Sequence, residues 1–358
     1  MRDIAKMVFI LLGVGTLLLS GCTSLGPRTI TRDRFDYTAA ISDSWKNQML
    51  LNMVKMRYGD APVFLDVGTL INQYAVEGLV DAGASWISDP YSSSQVIGAG
   101  AKYANRPTIT YTPLKGGQFA RNLMTPIPPA SILNLGQAGY PVDLVFRLCV
   151  HSVNGVQNRY GGTARPLVAD PEFYPLLERM RRIQDSGAIG LRVQKVDEKD
   201  TFVIVFKSKV DGATEADIAE VRKVLGLDPH ARAFKVVYGA IAADDKEIAI
   251  LSRSMLQIII DLGSYIAVPE SHVAEKRTPA NFKDEPVNGV PLAPVIRVNS
   301  APQKPSDAFV SIRYADYWFW IDDKDFPSKR IFSFLMFIFT LTETGVEEKA
   351  PPVVLPLG

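Results

Sequence analysis

Two cysteines and three histidines are all that 358 residues supply of the most versatile metal ligands and nucleophile partners. His151, His230 and His272 stand at no i, i+4 spacing, and neither an HExxH segment nor a close cysteine pair occurs, which excludes the familiar zinc patterns. No serine sits in a GxSxG elbow, and Gly116-Gly117 lacks the GK[ST] ending of a phosphate loop. Asp322, Asp323 and Asp325 lack the glycine and distal glutamate of an EF-hand; ahead of a helix, they more simply favour its positive end. Net charge is missing as well. The 39 Lys and Arg face 38 Asp and Glu, with no basic excess for nucleic acid and no acidic excess for storing cations. No apolar run reaches the roughly 20 residues of a membrane-spanning helix, and no repeat shows at solenoid periods.

What is present begins at the N-terminus. Arg2 and Lys6 precede the apolar run Met7–Leu19, and Leu19-Ser20-Gly21-Cys22 closes it. A basic start, a short apolar stretch and small residues before a cysteine resemble the signal peptide and lipobox of bacterial lipoproteins. The resemblance implies peptidase recognition through Leu19, Ser20 and Gly21, and diacylation of Cys22 as the first mature residue. Two or three acyl chains, at about 0.8 kcal/mol per buried methylene, make a stable anchor. Thr23, where an aspartate would retain such a protein at the inner membrane, implies the outer membrane, with the domain facing the periplasm. Loss of Arg2, Lys6 and Asp3 with the signal brings the cationic and acidic counts level. Cys149 is then left without an intramolecular partner, and its place in the stripe Val142, Val145, Phe146, Cys149, Val150, Val153 predicts a buried, inert thiol.

The chain reads as an α+β fold with mainly antiparallel sheet. The expected divisions are a signal peptide (1–21), a lipidated polar tether (22–36), a helix and long β-hairpin region (37–190) and an α+β subdomain (191–275). A Pro-rich linker or surface excursion (276–307), an aromatic strand with a buried helix (308–345) and a tail (346–358) complete it. Helices are predicted over 42–58, 130–137, 142–157 and 171–185. The subdomain reads β-β-α-β-α. Its elements are a hairpin of 191–196 with 201–206, a helix opened by Thr214 and Asp217, and a strand 234–238. A long helix opened by Asp244 and Glu247, with Ile248 to Leu262 inward, closes it. Phe309–Ile321 reads as one aromatic strand, and Ile331–Leu341 as a helix buried on most sides.

Residues 72–111 carry the most unusual pattern. Tyr74, Val76, Gly78, Val80, Ala82, Ala84 and Trp86 alternate with mostly polar neighbours; Ile97, Ala99, Ala101 and Tyr103 do so after a turn over 88–94. Aromatics at the ends of an apolar band suit a transmembrane β-hairpin, which would need several subunits to close a barrel. The same alternation suits a long amphipathic hairpin packed on the protein's own core. Tyr74, Val76, Val80, Trp86, Ile97 and Tyr103 are the candidate residues under either reading.

Several blocks are similar to a family of uncharacterised bacterial lipoproteins. They are Ser44-Trp45-Lys46-Asn47-Gln48-Met49-Leu50-Leu51-Asn52 with Arg57-Tyr58 and Pro62-Val63-Phe64-Leu65; Pro107-Thr108-Ile109-Thr110-Tyr111-Thr112-Pro113-Leu114; Thr125-Pro126-Ile127-Pro128-Pro129; and Tyr317-Trp318-Phe319-Trp320-Ile321 with Ser328-Lys329-Arg330. The resemblance implies an envelope lipoprotein and supplies no activity. The expected role is therefore non-enzymatic: structural, assembling, or binding an envelope protein or a second copy, without cofactor, metal or nucleic acid. The alternatives are a channel subunit using hairpin 72–111, and an envelope hydrolase using paired carboxylates such as Asp66 with Glu77 or Asp322 with Asp325.

Overall fold

The computed structural model describes residues 25–71, 74–86, 93–105, 108–114, 117–162, 166–196, 199–281, 286 and 293–343. Leu19, Ser20, Gly21 and Cys22 lie outside the described residues. The chain forms two compact units, residues 1–45 with 65–113, and residues 46–64 with 114–358.

Helix α1 (Leu25–Arg57) opens the described chain and contributes residues to each unit. Helix already runs from Leu25, within the 22–36 span expected as a polar tether. Pro27 is tolerated in a first turn, and neither Gly nor Pro interrupts the chain again until Gly59, whose φ of +75° ends the helix. The first unit continues with β1 (Phe64–Ile71), β2 (Tyr74–Trp86), β3 (Ser93–Asn105) and β4 (Thr108–Leu114), β1 pairing with β4 and β2 with β3. The β2–β3 ladder runs unbroken from Tyr74↔Asn105 to Trp86↔Ser93. It sets Val76 opposite Tyr103 and Ala82 opposite Ile97, so the two position sets that alternation marks as apolar are paired across the ladder. Ser93 and Ser94 belong to β3 rather than to the turn. Strands of 13 residues at about 3.3 Å per residue run about 43 Å.

The second unit begins with three short helices, α2 (Gly117–Met124), α3 (Pro129–Gln137) and α4 (Val142–Cys149), followed by β5 (Val150–Val153) and β6 (Val156–Gln157). The helix predicted over 142–157 therefore stops at Cys149, and His151 lies on a strand. The reason is local: Asn154 and Gly155 both have positive φ, +44° and +84°, the pair that a two-residue hairpin turn requires. Next come α5 (Phe173–Asp185), β7 (Ile189–Val196), β8 (Lys199–Phe206), α6 (Gly212–Val224), β9 (Ala233–Tyr238), β10 (Glu247–Ser252) and α7 (Met255–Gly263).

Two caps differ from expectation. Asp211, not Thr214, caps α6, accepting from the Thr214 N–H at 2.9 Å. The long helix predicted from Asp244 is instead strand β10 followed by α7, whose capping box is Ser254 with Gln257. Ile248-Ala249-Ile250-Leu251 is a short apolar run that periodicity cannot assign by itself; pairing with β5 on one side and β9 on the other makes it a strand. The subdomain pattern is accordingly β-β-α-β-β-α.

Helix α8 (Glu270–Ala274), β11 (Asn299–Ala301), β12 (Ala308–Tyr314), β13 (Tyr317–Asp322) and α9 (Phe326–Glu343) complete the described chain. The single strand predicted over 309–321 is a hairpin, turned at Ala315 and Asp316, both at positive φ. Ile331, Phe332, Phe334, Leu335, Ile338 and Phe339 of α9 are buried, while Phe337 is exposed. The main sheet has the order β6-β5-β10-β9-β8-β7, antiparallel except for β9–β10, and the second sheet has the antiparallel order β11-β13-β12. The fold is α+β. No helix among the described residues is long and apolar enough to cross a membrane.

Candidate functional site

Strand β7 ends the main sheet, with β8 on one side and no described strand on the other. The Leu191 carbonyl accepts a bond from Gln137 Nε2 at 3.3 Å, which places that carbonyl on the side away from β8. In an antiparallel strand both peptide groups of a residue face the same way, and alternate residues face alike. The peptide groups of Ile189 and Val193 therefore also point from the open edge. Beside this edge α3, α4 and α5 leave a cavity of about 430 Å3, walled by Ile132, Leu133, Val145, Met180, Leu191 and Ile204.

The cavity's polar groups are already engaged. Gln184 Oε1 accepts from the Val142 N–H at 2.9 Å, and its Nε2 donates to the Gly136 and Tyr140 carbonyls at 2.9 Å each. One glutamine thus pins the α3–α4 connection and leaves apolar walls to any ligand. Val193, 57% exposed, and half-buried Phe202 opposite it continue the apolar strip along the edge. A volume in the range of about 300–1,000 Å3 with apolar walls is typical of a binding pocket. Sequence patterning showed the hairpin but could not show that β7 would be an edge, because strand order depends on which distant segments pair.

A second group of polar residues forms a buried charged cluster. Arg253 is fully buried, donates from Nη1 to Asp261 Oδ2 at 2.9 Å and bonds the Arg159 carbonyl through Nη2. Arg159 donates to Asp261 Oδ1 at 2.9 Å and to Ser264 Oγ at 3.0 Å, and the Gly161 N–H reaches the same Oδ1 at 2.6 Å. The guanidinium of Arg159 lies 4.1 Å from the Tyr265 ring centre, and that of Arg253 lies 5.5 Å from Tyr160. The Tyr160-Gly161-Gly162 segment is thus part of an ionic framework. A Cβ at Gly161 would fall 2.1 Å from Ser264 Oγ, so only glycine lets the chain approach α7 this closely. The cluster joins the segment after β6 to α7.

A third polar group centres on buried His272. The Tyr58 hydroxyl lies 2.8 Å from His272 Nδ1, and the Tyr317 ring packs edge-on at 5.0 Å. Burial pushes the Tyr58 phenol up to about 12, so it stays protonated beside the imidazole. Burial, with Arg277 nearby, lowers the His272 pKa, against smaller opposing effects of Glu275 and Asp316. A base whose pKa is lower folded than unfolded destabilises the fold as it takes up protons in the unfolded chain first. Stability is therefore expected to fall as pH drops below about 6.5, the unfolded histidine value, levelling off once native His272 is protonated too. His151, lowered by burial and by Arg253, acts in the same direction. Urea denaturation across pH 5–8 checks this: His272→Gln, whose amide can donate to or accept from Tyr58, should flatten the slope, and an unchanged slope would remove His272 from the account.

Cys149 is fully buried and unpaired, with its thiol pushed up to about 12 by burial. Asp322 and Asp325 serve backbone: Asp322 accepts from the Lys324 N–H, and Asp325 from the Ser328 N–H and Oγ at the start of α9. The side chains of Asp66, Glu77 and the hairpin candidates Tyr74, Val76, Val80, Trp86, Ile97 and Tyr103 lie outside the described residues. Among the described residues no group of His, Cys, Asp or Glu is arranged to hold a metal ion. Comparison with protein-family models, with curated proteins and with solved structures finds no match for this chain.

Proposed function

We propose that this is a lipid-anchored outer-membrane lipoprotein, periplasm-facing, that binds an envelope protein partner by adding a strand of that partner to β7. The lipobox supports the anchor. The observation that carries the partner-binding role is an open sheet edge lying beside an apolar cavity. Main-chain bonds at such an edge supply affinity, and alternate side chains entering a groove supply selectivity. β7 holds Arg192 and Lys195 and no carboxylate, and exposed Arg192 has no ion pair among the described residues. A second β7 would bring like charges together, so the fitting occupant is an extended, acidic segment of another protein with apolar residues at alternate positions.

The test uses proline. Val193→Pro removes one outward N–H and leaves the β7–β8 ladder bonds in place, as edge strands tolerate. A photo-crosslinking residue at exposed Gln194 should trap an envelope protein in cells, and Val193→Pro should abolish the trapped band without lowering the thermal midpoint. A band of equal strength in both proteins would sink the strand-addition reading. Loss of palmitate labelling and of membrane association in Cys22→Ser checks the anchor.

The unbroken 13-residue β2–β3 ladder supports a second reading, a subunit of an oligomeric outer-membrane channel. An isolated two-stranded ribbon is marginal in water and requires a cover. The native mass of the lipidated protein in mild detergent separates the two: a ring-sized oligomer whose membrane conductance disappears on deleting 75–104 favours the channel, and a monomer removes it.

A further inference from the structure

Arg57, in the last turn of α1, is 4% exposed. Its Nη2 donates to the Pro279 and Ala280 carbonyls at 2.9 and 3.0 Å and to Asn281 Oδ1 at 3.1 Å, while its buried Nε has no hydrogen-bond partner. No carboxylate among the described residues forms an ion pair with it. Among the described residues its partners are neutral oxygens, which compensate a buried cation poorly, although the negative end of α1 offsets part of the cost. Burial lowers its pKa from the ordinary arginine value.

Arg57 also lines an open cleft of about 470 Å3 together with Lys276 and Arg277, both exposed. Lys276, at φ +60°, is the left-handed residue that ends α8, with its N–H donating to the Val273 carbonyl at 3.0 Å and the Arg277 N–H to the His272 carbonyl at 2.9 Å. Glu275 approaches Arg277 at 3.6 Å, with both side chains well exposed, so that pair is weak and exchangeable. Asp60, on the turn after α1, faces Lys55 at 3.5 Å and the Tyr314 hydroxyl at 3.4 Å. Thr278 Oγ1 donates to the Arg57 carbonyl at 3.0 Å, fastening the cleft wall to the helix end.

We propose that this cleft binds a phosphate group, with Arg57 as its buried anchor and Lys276 and Arg277 closing on the outer oxygens. Guanidinium forks and a lysine point charge are the usual ligands of such an anion, and the cleft is larger than bare phosphate, leaving room for an ester substituent. The phosphate can come from solution or from a phospholipid headgroup. The proposal does not depend on strand addition at β7.

The test is a thermal-midpoint titration of the full chain in mild detergent, run with inorganic phosphate against chloride at matched ionic strength. A parallel titration uses micelles doped with phosphatidylglycerol or with phosphatidylcholine. Saturable stabilisation by phosphate supports a soluble ligand, and stabilisation by phosphatidylglycerol without phosphatidylcholine supports a headgroup. The double variant Lys276→Gly/Arg277→Gln removes two exposed charges, and glycine accepts the φ that lysine holds under strain, so the fold survives. It should bind about ten-fold more weakly or worse. No saturable response to either ligand, or an equal response in the double variant, overturns the proposal.

Discussion

Replacing Asp261 by asparagine is expected to destabilise the fold by about 3–5 kcal/mol, the usual consequence of removing one partner from a buried ion pair. Asp261 accepts from Arg253 and Arg159 on its two oxygens and from the Gly161 N–H as well. The side chains concerned are 0–6% exposed, so water cannot take over when the negative charge goes. An asparagine keeps the shape but leaves two guanidiniums facing an amide. Arg253→Met should cost less, because the carboxylate keeps Arg159 and the Gly161 amide. Urea denaturation of the two variants measures the difference. Equal losses would mean that packing around the cluster, and not charge, dominates its contribution.

Asn154→Gly is the second large effect, expected at about 3 kcal/mol from buried groups left without partners. The asparagine amide donates to the Leu225 carbonyl at 2.8 Å and the Glu247 carbonyl at 3.2 Å, and its oxygen accepts from the Ala249 N–H at 2.6 Å. One side chain in the β5–β6 turn therefore ties the end of α6 to the start of β10. Glycine adopts the same φ without strain and isolates the lost bonds; Asn154→Ala should cost about 1 kcal/mol more because alanine is strained at +44°. Hydrogen exchange at Ala249 should accelerate in both variants. Exchange unchanged at that amide would show that β5 and β9 hold β10 without the clasp.

Much of the fold was legible locally. Helix α5 follows from Phe173, Leu176, Leu177, Met180 and Ile183 at helical spacing, and β7–β8 from alternation around a polar turn, because burial on one face leaves its period in the sequence. The misread segments are those where local and tertiary signals compete. Residues 142–157 continue an apolar helical stripe, yet Asn154-Gly155 is a hairpin signal and partners for Val150–Val153 come from β6 and β10. Ile248–Leu251 is apolar in any conformation, and its strand state depends on β9, which it meets in parallel. The buried cluster was invisible because Arg159 is about a hundred residues from Arg253 and Asp261, those two stand just after a strand and within a helix, and each is an ordinary surface residue type.

The sequence by itself determined the α+β class, since periodicity is a local property, and it carries the contiguous lipobox-like pattern on which the proposed address rests. It also determined the scarcity of ligands for metal and of familiar catalytic motifs. Tertiary structure alone decided that β7 is an edge, that an apolar cavity lies beside it, and that Arg57 meets Lys276 and Arg277 across more than two hundred residues of chain. The physical reason is the same in each case. Edges, cavities and buried charges are properties of which segments come together, and no single segment carries them.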